Sequence, residues 1–422
     1  MPIQTKMKVK MSNKVIVVGG GASGLMAAGT AAEYGCEVTL IEKNSKLGRK
    51  LLITGKGRCN ITNFCDNETF ISNLTKNPRF MYSAINNFSC YDTISFFEDL
   101  GLHTKTERGN RVFPESDKAF DVLNALIKYN KDNGVNVLAY SSVKHLIFDD
   151  NKVIGVELEN QEKIFADKVI VTCGGLSYKQ TGSTGDGYAL AKEAGHSISK
   201  LIPSLISLVS GDDFCKDLQG LSLRNISISV IDNNSNSEIY NDFGELLFTH
   251  YGLSGPVILS ASAHMRDMSK DRYKVIIDLK PALDESTLDK RVLKDLNENI
   301  NKDLINSLNK LLPLSIIPIV IRKSGIDERK KCNSITSNER KQLVNAIKRF
   351  EVNISSLYDI NDAIITSGGI NVNEISPKTM QSKLKDNLYF CGEVLDVDAY
   401  TGGFNLQIAF STGRLAGLSA SK

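Results

Sequence analysis

14-KVIVVGGGASGLMAAGTAAEYGCEVTLIE-42 is the stretch that sets the fold. KVIVV is a β-branched apolar run too short for a helix, the texture of a parallel strand covered on both faces. Glycines follow at once, then a small-residue helix that stops at Gly35, and EVTLIE (37–42) is a second strand. Strand, glycine-rich turn, helix and strand make one βαβ unit. Within it Gly19, Gly21 and Gly24 satisfy G-x-G-x-x-G. The first allows a tight turn, the second lets backbone approach a pyrophosphate, and the third lets helix pack close to strand. Ala22 and Ser23 then open a helix whose free N–H groups and positive dipole end suit an anion. Glu42 stands 23 residues after Gly19, where a carboxylate accepts from an adenosine ribose. A glycine-rich turn without a ligand is the bland alternative; the strand, helix and acid around it argue against that.

Outward from this unit, residues 43–66 read as a long polar loop and 78–101 as one helix ending in SFFEDLG. RVFPES (111–116) is a strand and turn, and DKAFDVLNALIKYNKDNG (117–134) an amphipathic helix closed by Gly134. Short strands fill 136–175, with a hairpin expected around Asp149–Lys152. From about residue 200 to 285, strands alternate with Asn/Ser/Asp turns, as in LRNISISVIDNNSNSEI; residues 286–350 carry a helical period. Buried-strand texture returns in DAIITSGGI (362–370) and NLYFCGE (387–393). VIVTCGGL (169–176) and AIITSGGI (363–370) echo each other. The expected fold is α/β: a Rossmann-like domain with a parallel sheet (1–200 and 362–422), an inserted antiparallel β domain (201–285 and 351–361) and a small helical subdomain (286–350).

Composition narrows the class. The 422 residues are 41% hydrophobic and 23% charged, ordinary for a globular protein, with a net charge of +3. That small excess gives no argument for nucleic acid or an anionic membrane as partner. The lysine-bearing start, MPIQTKMKVKMSNK, has no apolar core and reads as a frayed tail, not a secretory signal. VIVVGGGASGLMAAGTAA (15–32) is interrupted by glycines and Ser23, and LPLSIIPIVI (312–321) is too short to span a membrane. Eight scattered cysteines without a C-x-x-C point to reduced thiols in a cytoplasmic protein and to no metal site.

The first motif does not separate FAD from NAD(P); the C-terminus does so better. NLYFCGEVLDVDAYTGGFNLQIAFSTGRLAG (387–417) is a strand, then Gly392-Glu393, then Gly402-Gly403 leading into a helix. In flavoproteins with a dinucleotide fold, a late strand delivers an acid to the ribityl chain and the next helix aims its N-terminus at the flavin pyrimidine edge. A positive dipole end there stabilises negative charge on reduced flavin. Gly403, Phe404, Asn405, Leu406 and Gln407 are the candidate contacts of that second element.

VGGGASG, LGRKLLITGKGRCNITN, GNRVFPES, TCGG, FTHYGLSGP, ITSGG and GEVLDVDAYTGGFNLQIA fall in the order seen in the BaiN-like family of NAD(P)/FAD-dependent oxidoreductases, also called aminoacetone oxidase family enzymes. The chain resembles that family over nearly all of its length after Lys14, and its FAD domain is similar to fumarate-reductase-like flavoproteins. The resemblance implies bound FAD and a three-part architecture, and little about substrate. With it go candidate cofactor contacts at Lys43, Arg49, Lys50, Val143 and Gly174.

GKGRCNITN (55–63) allows three readings. As an anion cradle, Gly57, Arg58, Cys59 and Asn60 run toward the isoalloxazine, with Arg58 or Asn60 donating to flavin or substrate oxygens. As a redox thiol, Cys59 needs Cys65, but that spacing is one residue longer than the C-x4-C of glutathione-reductase-type enzymes, and no second G-x-G-x-x-G follows a strand. As a polar loop it does nothing. The candidates for chemistry are Cys59, His250 in the turn FTHYGLSGP as a proton donor, and Arg111 as an oxyanion clamp. Each has a structural alternative: a helix cap for His250, a surface salt bridge for Arg111. Asp396, Asp398 and Tyr400 read as turn-shaping, and His103 and His196 as structural. The expected function is an FAD-dependent oxidoreductase passing hydride from NAD(P)H to a small organic acceptor. The alternative is an oxidase or dehydrogenase of an amine or hydroxy compound without nicotinamide.

Overall fold

The computed structural model describes residues 12–422, so most of the expected frayed tail lies outside the described residues. Two compact units are formed, one running to Pro203 and resuming at Ile364–Lys422, the other Ser204–Ala363.

The first unit is built on a five-stranded parallel sheet. Its strands are β1 (Lys14–Val18), β2 (Glu37–Ile41), β3 (Asn136–Leu138), β4 (Lys168–Val171) and β5 (Leu388–Phe390), in the order β5-β4-β1-β2-β3. Every neighbouring pair is parallel, with Val15 opposite Val38 on one side and Ile16 opposite Val169 on the other. Val15, Ile16, Val17 and Val18 are all buried, which is why KVIVV has no polar alternation. Helix α1 (Ala22–Glu33) is buried from Ser23 to Ala31, so its sequence shows no polar stripe. One side meets the helix Ala119–Asp132, where Tyr129 Oη donates to Glu33 at 2.7 Å and Asn130 Nδ2 to the Leu25 carbonyl at 2.9 Å. The other meets the C-terminal helix α3 (Phe404–Ala420). A Cβ on Gly413 would stand 2.6 Å from the Ser23 carbonyl oxygen, and one on Gly417 2.4 Å from that of Ala27. The two helices therefore touch backbone to backbone, and only glycine fits at these crossings.

Two sequence expectations change here. Residues 78–101 are not one helix: a turn and the short helix Tyr82–Asn87 end before Phe88, and α2 (Cys90–Asp99) starts afresh. The cause is Ser89, whose hydroxyl accepts from the Asp92 N–H while Asp92 reaches back to the Ser89 N–H, a reciprocal cap that starts a new helix. Nor is 43–66 simply a loop, since Arg49–Ile53 is helical and Thr62–Asn63 pairs with the strand Arg111–Pro114. The hairpin Val143–Asp149 with Lys152–Leu158 forms a small antiparallel sheet beside the main one. His196 is buried between Glu374, 3.1 Å from Nδ1, and Ser382, 2.8 Å from Nε2, a structural role.

The second unit is a closed antiparallel barrel of six strands: Leu208–Ser210, Gly252–Ser254, Ser237–Thr249, Ser222–Asp232, Tyr273–Asp278 and Phe350–Leu357. Closure leaves no strand edge unpaired. The helices Glu285–Glu298, Ile317–Ser324 and Ser337–Lys348 share one apolar core with it, through Leu288, Val292, Ile321, Leu343, Ile347 and the barrel residues Val275 and Phe350. LPLSIIPIVI thus contributes a short buried helix, and no helix of the described residues is long and apolar enough to cross a membrane.

Candidate functional site

The carboxyl ends of β1 and β2 build the first part of the site. Gly19 has φ +107° and its N–H donates to the Ile41 carbonyl at 2.8 Å, bending the chain sharply off β1. Gly24 closes on that turn: a Cβ there would stand 1.8 Å from the Gly19 oxygen. Gly21 is the N-cap of α1; no side chain caps the helix, no acid lies in its first turn, and a Cβ on Gly21 would meet nothing within 4 Å. The first-turn N–H groups of α1 therefore have no side-chain cap and no neighbouring acid, the kind of helix end that suits a pyrophosphate. Glu42 is 8% exposed. One of its oxygens accepts from Gly20 N–H at 2.8 Å, the other from the Asn44 backbone and side chain at 2.8 and 2.6 Å. The carboxylate is held rigid at the strand end with lone pairs to spare for a diol.

The neighbouring cations are already engaged. Lys43 pairs with Asp186 at 2.5 Å, and Arg49 donates to Asn44 Oδ1 at 2.7 Å. Lys50 donates to Glu393 and to Ser177, both at 2.7 Å. Glu393 also accepts from the Thr366 N–H at 2.9 Å, and the Thr366 hydroxyl accepts from the Leu176 and Ser177 N–H groups at 2.8 and 3.1 Å. The two echoing segments therefore meet, with Thr366 and Glu393 stitching one Gly-Gly turn to the other. Thr172 completes the stitch by donating to the Val18 and Gly19 carbonyls at 2.9 and 2.7 Å. The hydroxyl ending each echoing strand was the signal for Thr172 and Thr366, while Ser177 lies one residue beyond the echo and had none. Gly174 sits in that turn with φ +73°, and Gly392 packs against Ser23. Val143 is half-buried at the start of its hairpin strand, opposite Leu158.

The second part is the N-terminus of α3. Gly403 is its N-cap, again with no side-chain cap and no acid in the first turn, and its φ of +101° is needed because a Cβ would stand 2.3 Å from the Thr62 oxygen. Asn405 braces the entering turn, donating to the Ala399 carbonyl at 2.8 Å and accepting from the Ala399 N–H at 3.1 Å. Asn63 Nδ2 donates to the Gly402 and Gly109 carbonyls, each at 3.0 Å. Gln407 is fully buried, accepting from Thr62 at 2.6 Å and donating to the Phe88 carbonyl at 3.1 Å, so its amide supports the helix. Phe404 packs 6.2 Å from Phe70, and Leu406 is half-buried. Asp398, 2% exposed, bonds Thr75 through one oxygen and leaves Oδ2 without a partner; Asp396 pairs with Lys76 at 2.6 Å.

The loop 55–63 joins the two parts. Gly57 has φ +85°, and a Cβ on it would meet nothing within 4 Å. Arg58 turns away, bridging Glu107 and Asp117 at 2.5 Å each with its guanidinium 4.1 Å over the Phe113 ring. Cys59 is buried with φ +60°, and burial pushes its thiol up to about 12 against a relieving hydrogen bond from Thr54. A thiolate beside Arg58 is not what this geometry holds. Nor does Cys59 face Cys65, whose sulfur lies against that of Cys90 instead. Asn60 keeps a buried Oδ1 without a partner, a free acceptor in the middle of the loop. Arg111 is exposed and lies back on its own hairpin, Nε donating to the Arg108 carbonyl at 3.0 Å. In the second unit, His250 occupies the turn between Ser237–Thr249 and Gly252–Ser254, exposed, with its ring edge-on to Tyr251 at 5.0 Å. Among the described residues no cluster of His, Cys, Asp or Glu has the shape of a metal site.

The family model described as HI0933-like protein Rossmann domain matches residues 13–419. The chain is 31% identical over 418 residues to the 3-dehydro-bile acid delta(4,6)-reductase of Clostridium scindens, covering 97% of this chain and 99% of that protein. It is 32% identical over 415 residues to the ribosomal RNA dihydrouridine synthase of Haemophilus influenzae, covering 96% and 98%. The 3-ketosteroid-delta4-(5alpha)-dehydrogenase of Rhodococcus jostii shares the fold at a TM-score of 0.52 and 13% identity, covering 100% of this chain and 99% of that one. With a dinucleotide turn on β1, an acid on β2 and a second bare helix end at α3, all inside the matched span, the chain belongs to the HI0933-like family.

Proposed function

We propose that this chain is an FAD-dependent oxidoreductase that saturates a carbon–carbon double bond conjugated to a carbonyl, with NAD(P)H as electron donor. The observation that carries it is the pair of uncapped helix N-termini, α1 and α3, on helices packed backbone to backbone. Each presents about half a positive charge. A dinucleotide flavin needs both, one for its pyrophosphate and one for the pyrimidine edge that becomes anionic on reduction. Glu42 would take the ribose hydroxyls and Asn60 Oδ1 a donor on the cofactor or substrate. When bound, FAD supplies a hydride at N5.

The acceptor class is supported by what the two relatives' names have in common. A delta(4,6)-3-oxo steroid and a uracil each carry a C=C in conjugation with a ring carbonyl, and each name describes its saturation. Such an acceptor takes hydride at the β-carbon and a proton at the α-carbon. The Haemophilus relative favours a second reading, the same reduction on a uracil within RNA, for which the net charge of +3 supplies no obvious basic stripe.

Anaerobic titration of the purified protein with NADPH and then NADH, followed by its visible spectrum, is the test. Flavin bands that bleach, and return when a steroid dienone is added, support the small-molecule reading. Return only with uridine-containing RNA supports the second. Bands that never bleach with nicotinamide point to the oxidase alternative, and no flavin band after FAD addition overturns the proposal.

A further inference from the structure

Cys65 and Cys90 are far apart in sequence, yet their Sγ atoms lie 3.9 Å apart with both side chains buried. Their neighbours meet too: the exposed rings of Phe64 and Tyr91 stand edge to face with centroids 5.1 Å apart. Two consecutive residues of one segment thus face two consecutive residues of the other in reverse order, thiols inward and rings outward. This two-rung ladder holds the segments in register. Cys90 is also the first residue of α2, directly after the Ser89 cap. The sulfur–sulfur contact with Cys65, with a hydrogen bond from the Asn63 backbone, holds Cys90 below its ordinary thiol value. The same contact with Cys90, and burial, push Cys65 up. Its place in the first turn of α2 makes Cys90 the nucleophile of the pair and leaves Cys65 as the resolving thiol.

We propose that Cys65 and Cys90 are a modification site, oxidised by hydroperoxides to an intramolecular disulfide. The Cys90 sulfur attacks a peroxide oxygen, the O–O bond breaks, and an alcohol (water, from hydrogen peroxide) leaves. Cys65 then attacks the resulting sulfenic acid and displaces its hydroxyl, which departs as water with the Cys65 proton. Two thiols lose two electrons and two protons; ROOH becomes ROH and water. The site reaches the rest of the unit through Thr62 and Asn63, which precede Cys65 and hold Gln407 and the Gly402 carbonyl at the start of α3. Bringing the sulfurs from 3.9 Å to the bonding distance of about 2.05 Å draws that segment toward α2.

The test is peptide mapping of the full-length wild-type protein, reduced, exposed to a few equivalents of hydrogen peroxide, alkylated in denaturant and digested. All eight cysteines are free at the outset. The expected result is a fall from eight titratable thiols to six, a cross-linked peptide joining Cys65 to Cys90, and recovery of eight with dithiothreitol. In Cys65→Ser, dimedone should trap a sulfenic acid at Cys90; in Cys90→Ser no disulfide should form. Eight thiols still alkylated, a disulfide elsewhere such as Cys173 to Cys391, or Cys90 driven to the sulfinic acid with Cys65 free, each overturns the proposal. The wild-type map stands whether or not either variant folds.

Discussion

On the proposed reading the Glu42 carboxylate would be shared between protein and cofactor, since Gly20 N–H and Asn44 already occupy part of it. Glu42→Ala removes the proposed ribose acceptor and leaves the Gly20 N–H unpaired. A charged hydrogen bond contributes ~1.5–3 kcal/mol, so FAD should bind about 10–100-fold more weakly. The apoprotein should still melt cooperatively, and full FAD occupancy after gel filtration would defeat the ribose assignment. Cys59 gives a pH prediction. Its thiol is neutral in the folded chain, pushed up to about 12 by burial, and the buried Cys391 thiol is raised in the same way. Each ionises more readily unfolded, so its contribution is complete below the ordinary thiol pKa of ~8.5 and is lost as pH climbs toward the folded value. Each such thiol removes about 1.4 kcal/mol per pH unit across that window. The denaturant midpoint should fall steeply between about pH 9 and 11 in wild type and less steeply in Cys59→Ala; equal slopes would refute it.

At the scale of elements, the crossing of α1 and α3 is the most exacting contact. Gly417→Ala places a methyl group 2.4 Å from the Ala27 oxygen, and overpacking of this kind costs ~1–3 kcal/mol. The two helix ends should separate, so the melting temperature and FAD retention should drop together; loss of neither would mean the helices can slide. The glycine turn, its helix and the acid of β2 were legible because they follow from local rules applied to contiguous residues. The break at Ser89 was written there too, as Ser-x-x-Asp, but the apolar residues on either side concealed it. Thr366 and Glu393 were half legible: the Gly-Gly echo marked two similar turns, not that one caps the other. Arg58 and Cys65 were not legible, since their partners Glu107, Asp117 and Cys90 are chosen by tertiary packing across loops.

For the molecule as a whole, the second unit enters and leaves through paired strands. Leu208 lies opposite Leu357, so the ends of Ser204–Ala363 are brought together by the barrel itself. A segment that closes its own barrel and owns its core should fold alone. Expressed by itself, 204–363 should give a single cooperative melt, and a broad, probe-dependent transition would contradict this. The separation of α1 from α3, to which this insertion contributes 160 residues, has a consequence for synthesis. About 370 residues separate the end of α1 from the start of α3, and at ~5–20 residues per second translation spends roughly 20–70 s on them. Throughout that interval one side of α1 lacks the glycine-bearing helix that covers it, while Ala119–Asp132 can cover only the other side. On the proposed reading the cofactor cannot rescue it, because the helix end that would close the cradle is made about 370 residues later. Yield in the cell should therefore respond to chaperone supply during elongation more than to added riboflavin.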